Sequence, residues 1–404
     1  MSTISRRHCL TTGLAAAGSL AMPQALAAPV QKAGTAPGTL NAIAKTRGLM
    51  FGTSIGEAAT KGEIALLAPE ILARPRRKPS FADPKVRALT VEQCGIVVPE
   101  NELKWYAVRP DPKTYDFRGA DTIVNFAKKN GLAVRGHNLV WNNNHWTPKW
   151  VMNYDFGTRP ASAAEKMLRD HIIKVCKRYG KSIFSYDVVN ETINPKTGEL
   201  EDTPFSKLLG WNVMDIAFHT AKEFAPHAEL VYNDYPSWGP DGTHRAGIVK
   251  LLEYAKKKNL PIDALGVQAH IGFPNTGDNA GKQRDEAAWR KFLDEVTGGG
   301  YGLLITEFDI NDKAAPSDIA ARDKAVADLG RDWLDIMLAY PALRYVMVWG
   351  MVDKYSWLQE FIPRPDGLPQ RCAPYDNNYQ PKPLREAMAA AFAAAPLRTA
   401  IKPS

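Results

Sequence analysis

Ser162-Ala-Ala-Glu-Lys-Met-Leu-Arg-Asp-His-Ile-Ile-Lys-Val-Cys-Lys-Arg-Tyr-Gly-Lys-Ser-Ile-Phe-Ser-Tyr-Asp-Val-Val-Asn-Glu191 carries both repeating parts of the fold in one run. Up to Tyr179 the apolar positions recur at helical spacing. Met167, Leu168, Ile172, Val175, Cys176 and Tyr179 fall on one face, and Gly180 stops the helix. Ile183 to Asn190 then reads as a short, largely apolar strand covered on both faces. It ends on a polar pair, Asn190-Glu191.

The same alternation extends in both directions. Candidate strands are Leu49–Ile55, Gly95–Pro99, Ala133–Val140, Ile183–Asn190, Glu229–Asp234, Ala264–Ile271, Leu303–Phe308 and Tyr345–Gly350. Arg322–Tyr340 repeats the helical pattern, with Val326, Leu329, Trp333, Ile336 and Met337 on one face and Pro341 after the end. Eight strands alternating with helices predict an α/β fold, a (β/α)8 TIM barrel forming a single catalytic domain. A doubly wound sheet should carry a Gly-rich phosphate turn after an early strand, and the sequence has none.

Length and composition agree with this reading. The 404 residues fit one barrel with insertions, and 45% apolar with 23% charged residues is ordinary globular composition. The formal charge of +8 is mild. The longest basic clusters, Arg74-Pro-Arg76-Arg77-Lys78 and Lys256–Lys258, are too sparse for a nucleic-acid partner. The first of them falls in the long loop after the first strand and reads as a solvated surface.

Residues 1–27 read as a Tat-type export signal: Arg6-Arg7, a short apolar run from Leu14 to Met22, and Ala25-Leu26-Ala27 for cleavage. An ordinary secretory signal is the alternative. The apolar run is shorter than the ~18 residues of a membrane anchor, so no membrane is expected in the mature form. Residues 28–44 are Ala/Gly/Pro/Thr-rich and read as a linker, with the barrel over 45–397. The mature chain is expected to be periplasmic or extracellular and monomeric. Cys94, Cys176 and Cys372 would then remain, an odd number without metal spacing, and they read as buried free thiols.

A barrel places its chemistry at the C-terminal ends of its strands. The unusual polar residues gather there: Glu100-Asn-Glu-Leu-Lys104, His137 to Trp141, Asn190-Glu191, Asn233-Asp-Tyr235, Gln268-Ala-His270, Glu307-Phe-Asp309, and Trp349 with Asp353 and Trp357 beyond. Indoles match the apolar faces of pyranose rings, and amides, imidazoles and carboxylates match the hydroxyl edges. Cleaving a glycosidic bond needs two carboxyl groups, and Glu191 and Glu307 are the leading pair. A metal is not expected, because His137 and His270 lie on separate strands and no H-E-x-x-H occurs. Trp105 and Trp150 read as core.

Together these segments resemble glycoside hydrolase family 10, the retaining endo-β-1,4-xylanases. Val98-Pro-Glu-Asn-Glu-Leu-Lys-Trp105, Arg135-Gly-His-Asn-Leu-Val-Trp141, Tyr186-Asp-Val-Val-Asn-Glu191, Ile305-Thr-Glu-Phe-Asp-Ile310 and Val348–Trp357 are similar to that family's motifs, in its order. The resemblance implies a double displacement with Glu191 as general acid/base and Glu307 as nucleophile, and no cofactor. It implies that Asn190 bonds the sugar 2-hydroxyl, and that His270 and Asp309 hold the nucleophile ionised. Glu100, Asn101, Lys104, His137, Trp141 and Gln268 would line the non-reducing side, with Trp349 and Trp357 as walls and Tyr235 toward the leaving group. Xylan or xylo-oligosaccharides would be the substrate. A related β-1,4-glycanase and a transglycosylase are the alternatives.

The sequence departs from the usual pattern at loops. Asn142-Asn-Asn-His145 follows Trp141 where His is common, Glu63–Ser80 lengthens the loop after the first strand, Phe308 stands where Leu is common, and Gln359–Pro374 is long. These positions bear on substrate length and side-chain tolerance.

Overall fold

A computed structural model describes residues 33–57, 64–67, 69–73, 78–274 and 284–400. The expected export signal and the arginines at 74, 76 and 77 lie outside the described residues. Within them the strands are β1 (Met50–Ile55), β2 (Ile96–Pro99), β3 (Ala133–Trp141), β4 (Ser185–Asn190), β5 (Glu229–Asp234), β6 (Ala264–Val267), β7 (His270–Gly272), β8 (Gly302–Asn311) and β9 (Leu343–Val348). Every pairing between them is parallel. Neighbours run from β1 through β6, β6 pairs with β8, β8 with β9, and β9 returns to β1. The sheet therefore closes as an eight-staved barrel, since β6 and β7 share one stave beside β8.

Period two along the strands sorts their side chains. Met50, Ile96, Val98, Phe184, Val231, Leu304, Tyr345 and Met347 form one buried cluster, and the intervening Phe51, Val97, Leu230, Leu303 and Val346 join a larger one with the surrounding helices. Trp349 belongs to the first cluster. It is the last member of the ladder Tyr345, Met347, Trp349, and so emerges at the mouth. The helices Pro160–Tyr179 and Ile319–Leu338 bury every apolar position that the sequence placed on their inward faces except Leu329, which packs half-buried.

Two expectations on segment structure need correction. The stretch read as a linker is ordered against the barrel in its described part. Leu40–Lys45 is a helix capped by Thr39, whose hydroxyl accepts from the Ala42 N–H. Asn41 is fully buried, accepts from the Phe51 N–H (3.0 Å) and donates to the Gly34 carbonyl (2.9 Å). Ala/Gly/Pro/Thr composition hid this helix because its anchor is a polar residue. The strand expected over Ala264–Ile271 is interrupted at Gln268-Ala269. Ala269 has φ 65°, a left-handed conformation that ends strand geometry.

At the far face of the barrel the two ends of the described chain meet. The Arg398 guanidinium donates to the carbonyls of Leu343 (2.9 Å) and Leu338 (2.8 Å), and its N–H to that of Arg47 (3.1 Å). Leu343 begins β9, so this clasp sits opposite the catalytic mouth. Cys94, Cys176 and Cys372 are all free and buried.

Candidate active site

The C-terminal strand ends bring the expected residues together around one cleft. Glu100, Asn101, Lys104, His137, Trp141, Glu191, Gln268, His270, Glu307, Trp349 and Trp357 line one pocket. A second pocket carries Tyr235 and Asp309 and shares Gln268, His270 and Trp357 with the first. The two pockets thus adjoin through these three residues, and the first holds both carboxylates.

Glu191 follows the last residue of β4 and has φ 51°. That turn swings its carboxyl into the cleft, where Oε2 accepts from the Trp141 indole (2.8 Å) and Oε1 from Gln268 (2.7 Å). Burial raises this carboxyl to about 7. The Gln268 and Trp141 hydrogen bonds oppose the rise, and the charges of Asp234 and Glu307 add to it. Glu191 is thus an acid able to keep its proton near neutrality.

Glu307 lies within β8 and is treated oppositely. Oε1 accepts from the Asn233 amide (2.9 Å), and Oε2 lies 3.2 Å from His270 Nε2. Burial pushes its pKa up, but His137, His270 and Lys104 outweigh burial and hold it at about 2. His270 is buried too, yet Asp309, 2.9 Å from its Nδ1, and Glu307 raise it to about 10. Asp309 is fixed in turn by the Trp357 indole (2.7 Å). The nucleophile candidate therefore faces a cation held by a second carboxylate.

Asn190 Oδ1 accepts from Asn233 (2.8 Å), while its Nδ2 is buried without a partner. A buried amide donor left open beside the two carboxyls suits a ligand hydroxyl. Lys104 donates to Asn101 (2.8 Å), and its ammonium lies 4.6 Å from the Trp141 ring centroid and 5.8 Å from that of Trp349. His137 packs edge-on to Trp349 at 5.3 Å and lies 2.8 Å from Asp187, which also pairs with the buried Arg135. Glu102, behind Glu100, accepts from the Asn101 and Glu57 N–H groups (3.0 and 2.5 Å), and burial pushes it up to about 7. Tyr235 packs against His244 at 4.9 Å on the second pocket's side.

The sequence alone assigns the other contributors no role, although Asn233 stands among its polar strand ends. Asn233 bridges Asn190 and Glu307 through one amide and accepts from Thr306 (2.7 Å). Gly266 makes room for it, since a Cβ there would strike the Asn233 carboxamide. Tyr106, Trp146 and Phe361 complete the first pocket's lining. Asn142, where His was expected, is structural: it donates to Thr192 and accepts from Thr203, both at 2.6 Å. Trp105 is core, stacked on His171 at 4.1 Å, and Trp150 packs half-buried with its indole donating to the Arg109 carbonyl (3.0 Å).

The sequence model described as "Glycosyl hydrolase family 10" matches residues 70–391. A β-1,4-xylanase of Dictyoglomus thermophilum is 34% identical over 308 residues, covering 73% of this chain and 81% of that protein. Endo-1,4-beta-xylanase 5 of Pyricularia oryzae is 32% identical over 324 residues, 78% and 74% of the two chains. The crystal structure of native xylanase 10B from Thermotoga maritima superposes with a TM-score of 0.72 at 26% identity, covering 88% of this chain and 98% of that one.

Proposed function

The chain belongs to glycosyl hydrolase family 10, and from that premise we propose that it is an endo-1,4-β-xylanase working by a retaining double displacement, with Glu191 as general acid/base and Glu307 as nucleophile. The observation that carries the assignment is the opposite tuning of the two carboxyls, one raised to about 7 and one held at about 2. Relatives and structural neighbours named as xylanases support the substrate class.

In this reading ionised Glu307 attacks the anomeric carbon as Glu191 protonates the departing oxygen. A covalent glycosyl-enzyme forms and the aglycon leaves. Glu191, now ionised, then takes a proton from water, whose oxygen displaces Glu307. His270, held by Asp309, keeps the nucleophile charged before attack and accommodates its return. Asn190 Nδ2 donates to the 2-hydroxyl. The first pocket takes the non-reducing side, with Glu100, Asn101 and Lys104 on hydroxyl edges and Trp349 as wall, and the groove beside Tyr235 takes the leaving chain. The N-terminal segment serves export, so the mature enzyme acts outside the cytoplasm.

The test is hydrolysis of xylan, carboxymethylcellulose and mannan side by side, with the anomeric configuration of the first product followed by NMR. The expected outcome is xylan cleavage with retention by wild type and none by Glu307→Gln. Inversion, or wild-type turnover by Glu307→Gln, overturns the assignment. Products longer than the substrate would identify a transglycosylase.

A further inference from the structure

Three departures of this sequence converge on one place in the structure. After Trp141 the chain makes a tight turn, in which Asn143 accepts from the His145 N–H (2.9 Å) and the Thr147 N–H bonds the Asn143 carbonyl (3.0 Å). The turn lifts Trp146 so that its ring stacks on Trp141, with centroids 5.0 Å apart and planes 16° from parallel. Behind this pair pack Tyr106 and Leu66, the latter from the lengthened loop after β1. From the other wall, the long segment after β9 brings Phe361, one helical turn beyond Trp357, whose ring is 5.7 Å away. Mutual hydrogen bonds between Gln359 and Gln370 (2.9 and 3.0 Å) brace that turn. Trp146 and Phe361 then meet, with centroids 6.5 Å apart, and both line the pocket that holds Glu191 and Glu307.

Resting on the reading of this cleft as a xylan site, we propose that Trp146 and Phe361 form an aromatic bridge across the sugar groove and select against branched polymer in favour of short, undecorated xylo-oligosaccharides. Rings at 6.5 Å are in contact, so the two walls touch at this point of the pocket. A sugar chain passes the contact by its end, or after the bridge parts. A narrow oligosaccharide does either more readily than a backbone bearing arabinose or glucuronic acid branches. Both rings are backed by packed or hydrogen-bonded neighbours, so holding them apart is costly.

The experiment measures kcat/KM on xylotetraose, linear xylan and glucuronoarabinoxylan for wild type, Trp146→Ala, Phe361→Ala and the double variant, with thermal melts verifying that each is folded. Expected is a rise in the branched-polymer to xylotetraose ratio by about tenfold, the low end of what a steric mismatch in a pocket costs, in Phe361→Ala and the double variant at least. An unchanged ratio overturns the proposal. So does an equal fall on all three substrates in Trp146→Ala and Phe361→Ala, which would make the rings stacking platforms. Failure of the wild type on xylotetraose would instead reject the xylanase reading, and the bridge's role with it.

Discussion

At the scale of single residues the site is a problem in proton placement. Glu191 is held by one indole and one amide in a buried setting, and Glu307 by an amide and an imidazolium. The sign follows directly: an acid raised to about 7 is protonated below that pH and lost above it. The expected outcome is a basic limb near pH 7 in kcat/KM for xylotetraose. That limb should be absent for an aryl xylobioside whose leaving group departs without protonation. Identical basic limbs for both substrates would remove Glu191 from the acid role. Asn233→Ala should lower kcat by about 100-fold with KM little changed, since it deletes one preorganised donor to Glu307 and the prop for Asn190. A change confined to KM would restrict Asn233 to binding. Glu191 and Glu307 were legible because each stands at a polar strand end read from the sequence and inside a segment that resembles one of the family's motifs. Asn233 was legible only as one of the polar strand ends; its role was not, because that role lies in contacts across strands β4, β5 and β8.

Elements were read best where one period ruled. The helix Pro160–Tyr179 buries all six positions that the spacing placed on one face, and also His171, which the apolar pattern stepped over. His171 stacks on Trp105 with planes 4° apart, and burial, aided by the Arg109 charge, lowers it to about 3. A histidine depressed in the folded state contributes stability that is fully present above its unfolded pKa of about 6.5. That stability is lost as pH falls toward 3, at up to about 1.4 kcal/mol per pH unit. His171→Phe keeps the stack and removes the titration, so urea unfolding at pH 7 and pH 4 should differ less in this variant than in wild type. An unaltered difference would clear His171 of any part in acid sensitivity. The interruption between β6 and β7 was not legible, because Ala269 adopts its left-handed backbone without a glycine to announce it. Gln268 and His270, on either side of that kink, both line the cleft.

At the scale of the molecule, the eight staves and their sequential order followed from alternation, since a parallel closed sheet needs only repeated strand–helix units, while the split of one stave into β6 and β7 did not. What holds Arg398 did not either, because its partners lie 55 and 60 residues away at Leu343 and Leu338, and on the far side of the sequence at Arg47, with no shared pattern. Arg398→Ala removes two charged hydrogen bonds to buried carbonyls and should cost about 2–4 kcal/mol. The urea midpoint should fall with the slope unchanged, while kcat/KM on xylotetraose stays at the wild-type value. A midpoint equal to wild type would show that the guanidinium bonds of the clasp are dispensable. The same clasp has a practical side. It fixes the end of the described chain to the face away from the sugar groove. An enzyme anchored to a resin or fibre through its C-terminal residues should therefore present its working surface outward, as a reusable catalyst for suspended plant material requires.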